Sequence, residues 1–189
     1  LAHQHPETGM FTYMMPLMSG TAREYSTPFD SFWCCVLSGI ESHSKHGDSI
    51  YWENGDTLFV NLFIPSTLNW AAKKAEFELL TKYPYEGNIA LKLKRVQGAK
   101  SFTMAVRIPG WAKSNTLLVN GKPALAKIDK GYALITRKWR SGDVVTLDLP
   151  LDLRFEAAAG NDKVVALLRG PMVMAADLGA APKEDEDPE

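Results

Sequence analysis

The spacing of apolar residues along the chain changes near residue 50, from a helical repeat to a strand repeat. Upstream of this point, apolar and small residues recur every three or four positions, which predicts an amphipathic helix over residues 31–48. Its expected inner face consists of Phe32, Val36, Ile40, His43 and Gly47. We expect Asp30 or Ser31 to cap the N-terminus of this helix, and Gly47 to mark its C-terminus.

From Ile50 onwards, apolar and polar residues alternate, which is the pattern of strands wetted on one face. Asn54-Gly55 separates the first two runs and predicts a tight hairpin turn. The predicted strands are 50–53, 57–64, 75–82, 89–94, 102–108, 116–119, 132–136, 144–149, 153–157 and 164–168. Further turns are expected at 120–123, 129–131 and 141–143. Eight to ten short strands separated by turns indicate an antiparallel β-sandwich.

The two patterns together predict the domain organisation. Because a single amphipathic helix cannot bury its faces alone, we expect residues 1–49 to be the end of a helical domain whose larger part lies upstream. Residues 1–31 are rich in turn formers and predict no fixed element longer than a turn. Residues 50–150 are expected to form the sandwich, and residues 151–189 the strands of a further or completing sandwich plus an acidic tail. The predicted fold class is therefore mainly β.

Composition and charge exclude several classes of function. The 189 residues carry a net charge of −1. One lysine and five acids in the last ten residues give −4, which leaves +3 for the rest. This is too weak a charge for nucleic-acid or anionic-membrane binding, so we expect neither partner. The longest apolar run, from Phe32 to Leu37, has six residues and is too short to span a bilayer.

The strongest chemical signal is a pair of adjacent cysteines, Cys34 and Cys35, in the first turn of the predicted helix. From the residues alone, they are packed core, a reactive pair or metal ligands. A free thiol with a pKa of about 8.5 is roughly 3% ionised at pH 7, a deficit of roughly 2 kcal/mol. A helix N-terminus supplies about 0.3–1 kcal/mol, so a reactive thiol here would gain from a bound zinc.

For the other titratable candidates, we expect structural or surface roles. His43 and His46 lie two to three helical turns beyond Cys34, roughly 12–18 Å away, which is too far to share one metal ion with it. We expect His43 to pack or to form hydrogen bonds inside the domain. The His-x-His pair at positions 3 and 5 is expected to be solvated. Glu41 is expected to pair with Lys45 on the helix surface.

Four of the five tryptophans are spread through the predicted sandwich. Exposed tryptophans can stack on sugar rings, but burial in the core is the commoner fate in sandwiches. We therefore expect burial at all four positions: Trp52, Trp70, Trp111 and Trp139. The basic segment 137–140 around the last of them is interpreted as a strand end and turn, not as a nucleic-acid patch.

Several segments together resemble the β-L-arabinofuranosidase-type glycoside hydrolases of families 127 and 146. The most specific is the run 29–47, Phe-Asp-Ser-Phe-Trp-Cys-Cys-Val-Leu-Ser-Gly-Ile-Glu-Ser-His-Ser-Lys-His-Gly. The other matching segments are 11–17, 25–28, Arg107-Ile108-Pro109-Gly110-Trp111, Val119-Asn120-Gly121, Gly131-Tyr132, Trp139-Arg140-Ser141-Gly142-Asp143 and Leu168-Arg169-Gly170-Pro171. The resemblance implies an (α/α)-barrel catalytic domain followed by β-sandwich domains, of which this chain would be a C-terminal fragment.

The resemblance also implies a mechanism for carbohydrate hydrolysis. Cys34 would be the nucleophile, forming a thioglycosyl intermediate on the anomeric carbon so that configuration is retained. Zinc would be held by Cys34 and Cys35 together with a glutamate and a third cysteine, and another glutamate would act as acid/base. The implied substrates are L-arabinofuranosides or related plant-polysaccharide linkages. A periplasmic or secreted location is also implied, although the residues themselves leave the compartment open.

Two departures from the family pattern affect this interpretation. Leu37 stands where the family usually has glycine, and a larger side chain there could crowd the pocket beside the thiols. The sequence contains only two cysteines, so the third zinc cysteine, the other remaining zinc ligand and the acid/base are expected upstream of Leu1, in the missing N-terminal helical domain. We therefore expect the fragment alone to be inactive and to hold zinc weakly or not at all.

Two other classes of function compete with the glycosidase. A non-catalytic β-sandwich module would bind carbohydrate or brace a neighbouring domain. A metal-sensing or redox thiol protein would predict a bridge between Cys34 and Cys35, or their rapid alkylation.

Overall fold

The computed structural model describes residues 3–15 and 22–176, which divide into two compact units. One unit contains the described residues up to Asp48 together with Ala176, and the other is Ser49–Ala175. The acidic tail that we expected at 180–189 lies outside the described residues. The assignment of 1–49, 50–150 and 151–189 to three domains stays a prediction.

The predicted helix is present but shorter than expected. Helix α1 spans Cys34–Lys45 and continues into a 3-10 turn, His46–Ser49. Trp33 occupies the N-cap position without a side-chain cap, so the expected capping by Asp30 or Ser31 is wrong. The physical reason is that Thr27 and Asp30 close their own turn, with the Asp30 amide donating to the Thr27 hydroxyl over 2.9 Å. Ser31 then adopts a left-handed φ of 60°, so the helix begins only after it.

The expected inner face of α1 is also wrong, except at Val36. Val36 is buried, whereas Phe32 and Ile40 are exposed. The half-buried side of the helix instead carries Cys35 and Gly39, one turn apart. A Cβ on Gly39 would overlap the Phe11 ring and lie 2.6 Å from its Cδ1 atom. The pattern of apolar side chains does not predict this side of the helix, because its closest contact is made by Gly39, which has no side chain.

The approach to the helix contains no regular element among its described residues, as expected, but it is packed. Isolated bridges join Gln4 to Phe11 and Thr12 to Tyr25. Phe11 and Thr12 are both buried, and the Phe11 amide donates to the Ser26 hydroxyl over 3.1 Å. These contacts fix the segment 3–12 beside residues 25–26 despite its turn-rich composition.

Between the helix and Ala176, the last residue that the structure describes, there are fourteen strands. They are β1 Tyr51–Asn54, β2 Thr57–Val60, β3 Ser66–Trp70, β4 Ala75–Thr81, β5 Asn88–Val96, β6 Lys100–Arg107, β7 Thr116–Val119, β8 Lys122–Pro123, β9 Lys127–Asp129, β10 Tyr132–Trp139, β11 Val144–Asp148, β12 Leu153–Ala158, β13 Asn161–Arg169 and β14 Met172–Val173. A 3-10 turn, Ala71–Lys73, connects β3 to β4. None of the helices among the described residues is long and apolar enough to cross a membrane.

The strands form three sheets. The first sheet has the order β1-β2-β6-β10-β9, the second β3-β4-β5-β11-β7-β8, and the third β12-β13-β14. All described strand pairs are antiparallel except β2 with β6, which run parallel. The mainly β fold predicted from the alternating pattern is confirmed.

The core lies between the first two sheets. Strand residues that alternate with exposed positions supply it, because successive side chains of a strand point to opposite faces. Its centre is aromatic: Phe102 stacks on Trp139 with ring centroids 5.7 Å apart and meets Trp70 edge-on at 5.2 Å. The largest fully buried side chains are Trp139, Phe77, Phe102, Leu58, Leu79, Leu93, Met104 and Leu147.

Turn chemistry predicted most connections, with small shifts. The first hairpin turns on Gly55 and Asp56, one residue later than expected, because Asn54 pairs with Thr57. The turn after β7 uses Asn120 and Gly121, both at positive φ as a type I′ turn requires. The pattern does not predict β3, whose polar and apolar residues alternate weakly, nor the short strands β8, β9 and β14, the first of which lies within the predicted turn 120–123. Strand β2 ends at Val60 instead of continuing to 64.

The third sheet carries an exposed apolar face. Opposed residues of an antiparallel pair share a face, so Phe155 and Leu167 lie on the same side. Leu153, Phe155 and Val165 on this face are all exposed. Within the described residues, this face of the sheet is therefore uncovered.

Replacing Gly87 by alanine is expected to destabilise the sandwich by about 2–3 kcal/mol. The Gly87 carbonyl accepts the Leu149 amide over 3.0 Å, and a Cβ here would overlap the Leu149 carbonyl oxygen and lie 2.9 Å from its carbon. Urea unfolding measures the change. The matched control is Gly110→Ala, since a Cβ there meets nothing within 4 Å. The prediction is wrong if the two variants unfold at the same urea concentration.

Candidate functional site

The candidate site is the cysteine pair at the start of α1. Cys34 is exposed and Cys35 is half-buried, and both are free thiols. Their Sγ atoms are 3.8 Å apart. Exposure of Cys34 contradicts the packed-core interpretation for that residue, because a structural cysteine is normally enclosed by apolar neighbours. The roles of Cys34 as nucleophile and of both residues as zinc ligands stay predictions.

The electrostatics of the pair oppose ionisation of its second member. Burial raises the pKa of the Cys35 thiol, and the neighbouring Cys34, as hydrogen-bond partner and as charge, raises it further. Cys35 therefore stays protonated at neutral pH in the absence of a cation. Two thiolates this close repel each other, which favours the protonated form of the second thiol. A bound divalent cation would attract both thiolates and favour the ionised form instead.

A cleft of about 270 Å³ opens beside Cys35. It is lined by His3, Phe11, Cys35, Ser38, Gly39, Ser42 and His43. The lining thus combines residues that carry hydroxyl, imidazole and thiol groups with the apolar Phe11. Cys34 is not among the lining residues, so this cleft lies on the Cys35 side of the pair.

The histidines differ in part from expectation. His43 is exposed, so its expected interior position is wrong, although its Nε2 does form a hydrogen bond with Gln4 Oε1 at 3.0 Å. His43 lies one turn beyond Gly39 on the same side of the helix, but it borders the open cleft beside Cys35 instead of a packed interior. His3 is exposed, and its Nδ1 atom lies 3.2 Å from the Thr12 carbonyl. His5 is half-buried against Tyr25, which corrects its expected solvation.

Neither the histidines nor the acids complete a metal site with the thiols. Across residues 3–15 and 22–176, no group of three or more histidine, cysteine, aspartate or glutamate side chains could hold an ion. Glu41 forms the expected ion pair with Lys45 at 3.4 Å, and both side chains are exposed. Leu37 is exposed and is not among the residues that line the cleft beside Cys35.

The motifs of the sandwich meet in a hydrogen-bonded corner. Asn120 Nδ2 donates to Asp143 Oδ1 over 2.7 Å, and the Val144 amide donates to Asn120 Oδ1 over 2.8 Å. The second carboxylate oxygen of Asp143 accepts the Arg140 amide. The Val-Asn-Gly and Trp-Arg-Ser-Gly-Asp segments, separate in sequence, thus hold one turn together. Their role is structural.

A second junction involves a residue that sequence reasoning missed. Buried Asn61 accepts the Tyr132 hydroxyl at Oδ1 over 2.8 Å, while its backbone carbonyl accepts Arg107 Nη1 over 3.4 Å. Its Nδ2 has no partner among the described residues. The contact joins the start of β10 and the end of β6 to the loop after β2. The sequence signal that could have identified Asn61 is that it is a polar residue within an otherwise apolar run.

The tryptophans divide between core and surface. Trp70 and Trp139 are buried as expected, and Trp111 is partly buried against the core. Trp52 is 56% exposed, so its expected burial is wrong. It belongs to edge strand β1 and pairs with Phe59 on the outer face of the first sheet, where no further layer of the described chain lies.

Family models match most of the chain in two segments. Residues 57–151 match the middle domain of the GH127 β-L-arabinofuranosidases, and residues 1–48 match their catalytic domain. The cysteine pair therefore lies in the segment that matches the catalytic domain, and the sandwich in the segment that matches the middle domain.

Relatives with known names or structures agree with these matches. A non-reducing end β-L-arabinofuranosidase of Bifidobacterium longum subsp. longum is 30% identical over 155 residues, covering 76% of this chain and 23% of the relative. The crystal structure of a GH127 β-L-arabinofuranosidase from Geobacillus stearothermophilus T6 superposes with a TM-score of 0.67 at 31% identity, covering 74% of this chain and 23% of that protein. Another GH127 β-arabinofuranosidase structure gives a TM-score of 0.75 at 29% identity, covering 87% and 29%.

The matched segments and structures thus place the chain in one class of protein, the glycoside hydrolases. Within that class, the chain belongs to family GH127, the β-L-arabinofuranosidase family. It spans about a quarter of the length of the relatives it matches.

Proposed function

We propose that the whole protein is a retaining glycoside hydrolase that cleaves L-arabinofuranosides or related linkages of plant polysaccharides, with Cys34 as its nucleophile. The observation that carries this proposal is the exposed thiol of Cys34 in the first turn of α1, within the segment that matches the GH127 catalytic domain. A nucleophile must reach its substrate, and this thiol is open to solvent. Membership of the family supplies the substrate class.

The proposed reaction is a double displacement. The Cys34 thiolate attacks the anomeric carbon and the bond to the leaving oxygen breaks, with a carboxylic acid protonating that oxygen. Water then attacks the same carbon, its proton passes to the carboxylate, and the Cys34 thiolate leaves. Two inversions give net retention. The carboxylic acid is assigned to no residue of this chain and belongs to the rest of the catalytic domain.

The two thiols fit one half of a zinc site. Two sulfur ligands at about 2.3 Å from a tetrahedral ion are about 3.8 Å apart, which is the observed Cys34–Cys35 sulfur separation. Cys34 and Cys35 would therefore hold zinc from one side. Bound zinc would keep the thiols deprotonated, against the raised pKa of Cys35. The remaining ligands would come from the rest of the catalytic domain.

The 189-residue chain, produced alone, is expected neither to hydrolyse glycosides nor to retain zinc. Its described residues supply two thiols where a structural or catalytic zinc site needs three or four ligands. A chromogenic β-L-arabinofuranoside assay and metal analysis after dialysis test this directly. The whole protein is the positive control and should show both. Turnover by the isolated chain with one zinc per molecule would refute the assignment of the missing groups to other parts of the protein.

A further inference from the structure

We propose that Phe11 is a positioning residue for the Cys34 nucleophile and acts through its contact with Gly39 of α1. Phe11 belongs to a segment, residues 4–13, that contacts the helix and its N-cap at three points; we name this segment the brace. The proposal rests on the proposed function, because it assigns to Phe11 an effect on the reaction of Cys34. Gly39 follows Cys34 on the same helix, so contacts that fix this glycine also fix the thiol.

Two of the three contacts flank the cysteine pair along the helix. At the N-cap, the ring of Tyr13 meets the ring of Trp33 edge-on, with centroids 6.0 Å apart. In the middle of the helix, the Phe11 ring lies directly against Gly39, where a Cβ would be 2.6 Å from ring atom Cδ1. Phe11 is buried, and it lines the same cleft as Cys35. The brace therefore reaches the helix both before and after the two thiols.

The third contact lies one helical turn beyond the second. His43 Nε2 and Gln4 Oε1 are 3.0 Å apart. Because Cys35, Gly39 and His43 recur every four residues, they share one side of the helix, and the brace contacts that side. From the N-cap to His43, the three contacts are spread over about 15 Å of the helix axis. Contacts so far apart fix both the rotation and the tilt of α1, and hence the direction in which Cys34 projects.

Hydrogen bonds hold the brace itself in place. The Phe11 amide donates to the Ser26 hydroxyl over 3.1 Å, and the Phe11 carbonyl accepts the Ser26 amide over 2.7 Å. The Thr12 amide donates to the His3 carbonyl over 2.9 Å. Because the Phe11 backbone is held at both its amide and its carbonyl, the ring cannot withdraw from the helix without disturbing the whole segment. The contact with Gly39 is therefore made between two fixed partners.

The contact makes the position of the helix sensitive to a single methyl group. The Phe11 ring rests on the backbone of α1 at Gly39, so there is no intervening side chain that could change its rotamer. A Cβ on this glycine would lie 2.6 and 2.7 Å from ring atoms Cδ1 and Cζ, whereas ordinary van der Waals contact begins at 3.4 Å. Relief of the overlap needs a shift of about 1 Å between ring and helix, and a misplacement of that size costs about a hundredfold in rate when a reacting group is moved.

The experiment is steady-state hydrolysis of a chromogenic β-L-arabinofuranoside by the whole protein and its Gly39→Ala variant, well below both melting temperatures. We expect kcat to fall by about a hundredfold. The KM should change by less than about threefold, because the displaced sulfur reacts with the substrate and is not needed to bind it. In protein quenched during turnover, the fraction of Cys34 that carries a pentosyl group should also fall, because attack on the anomeric carbon depends on where the sulfur is held.

Matched variants separate positioning from a general loss of packing. Gly47→Ala makes the same change in the 3-10 turn that continues α1, where a Cβ meets nothing within 4 Å, and should keep the kcat of the parent. Phe11→Ala removes the brace contact without pushing on the helix and should lower kcat by about tenfold. The double variant, Gly39→Ala with Phe11→Ala, lacks the ring that the new Cβ meets. Its kcat should equal that of Phe11→Ala and exceed that of Gly39→Ala by about tenfold, because both changes affect one contact.

The positioning role is overturned if Gly39→Ala keeps the kcat of the parent, or if Gly47→Ala loses as much. It is also overturned if the double variant shows the product of the two single losses, or if melting temperatures fall while every kcat stays unchanged. If Gly39→Ala does not fold, Phe11→Ala and Phe11→Leu decide the question. Leucine keeps an apolar side chain against the helix, so its kcat should lie between those of Phe11→Ala and the parent, and equal values for all three would refute the role.

The outcomes for this role and for the proposed function are distinguishable. Turnover by the parent with no pentosyl group on Cys34 would refute the proposed nucleophile, and with it the role of Phe11. A pentosyl group on Cys34 of the parent, together with an unimpaired Gly39→Ala variant, would refute the role of Phe11 and leave the nucleophile in place.

Discussion

Replacing Cys34 by alanine in the whole protein is expected to lower the rate of β-L-arabinofuranoside hydrolysis by at least about a thousandfold. The covalent step needs a sulfur at this position, and alanine can form no glycosyl bond. Because the side chain of Cys34 is exposed, its removal leaves no cavity in the packing of α1, so the variant should still fold cooperatively. Steady-state kinetics and thermal unfolding of the same preparation provide both measurements.

Two further measurements separate a nucleophile from a residue that only supports the site. The parent enzyme, quenched during turnover of a slow substrate, should give a peptide containing Cys34 with the mass of one added pentosyl group. Ser44→Ala is a matched control on the same helix, since its exposed hydroxyl donates only to the Glu41 carbonyl, and it should retain full activity. Unaltered turnover by the Cys34→Ala variant would instead support a packing or bracing role for the pair.

Replacing Trp139 by alanine is expected to destabilise the sandwich by about 3–5 kcal/mol. The side chain is fully buried, stacks on Phe102 and donates from Nε1 to the Phe102 carbonyl over 3.0 Å. Arg137 also lies over its ring, 5.1 Å from the centroid. Because small domains are stable by only about 5–15 kcal/mol, this loss is a large part of the total. Denaturant unfolding of the variant measures it.

Two comparison variants resolve the origin of that loss. Trp139→Phe keeps most of the apolar volume but removes the Nε1 donor, so it should cost about 1–3 kcal/mol. Leu125→Ala changes a side chain that is 97% exposed and should cost almost nothing. A Trp139→Ala variant as stable as the Leu125→Ala variant would mean that the aromatic centre does not hold the two sheets together.

Local chemistry predicted the strands and turns well, and it predicted the helix face poorly. Alternation along β4, β5 and β6 depends only on which residues face water, so the sequence reports it directly. The inner side of α1 depends on the close approach of Phe11 to Gly39, which are far apart in the chain. No local rule identifies a glycine as the contact surface of a helix.

The sequence predicts which residues form the candidate site, but it does not predict whether they are buried or exposed. Two neighbouring cysteines at the start of a helical repeat are visible in the sequence, and so is the motif around them. Whether Cys34 would be enclosed or open was not visible, because burial is decided by what packs on the helix from elsewhere. In the same way, the sequence predicts burial equally for the exposed Trp52 and the buried Trp70, because the assembled sheets decide which face of each strand is covered.

The sequence by itself determined the change from helix to strands near residue 50, the positions of the glycine turns, the paired thiols and the family. These depend on nearest neighbours along the chain, on backbone sterics and on residue identity. Only the tertiary structure decided that β1 and β3 become the open edges of two sheets, that Trp52 is exposed beside them, and that Asn61 ties Arg107 to Tyr132. Those features come from contacts between residues distant in sequence, whose partners are defined only when the sheets have assembled.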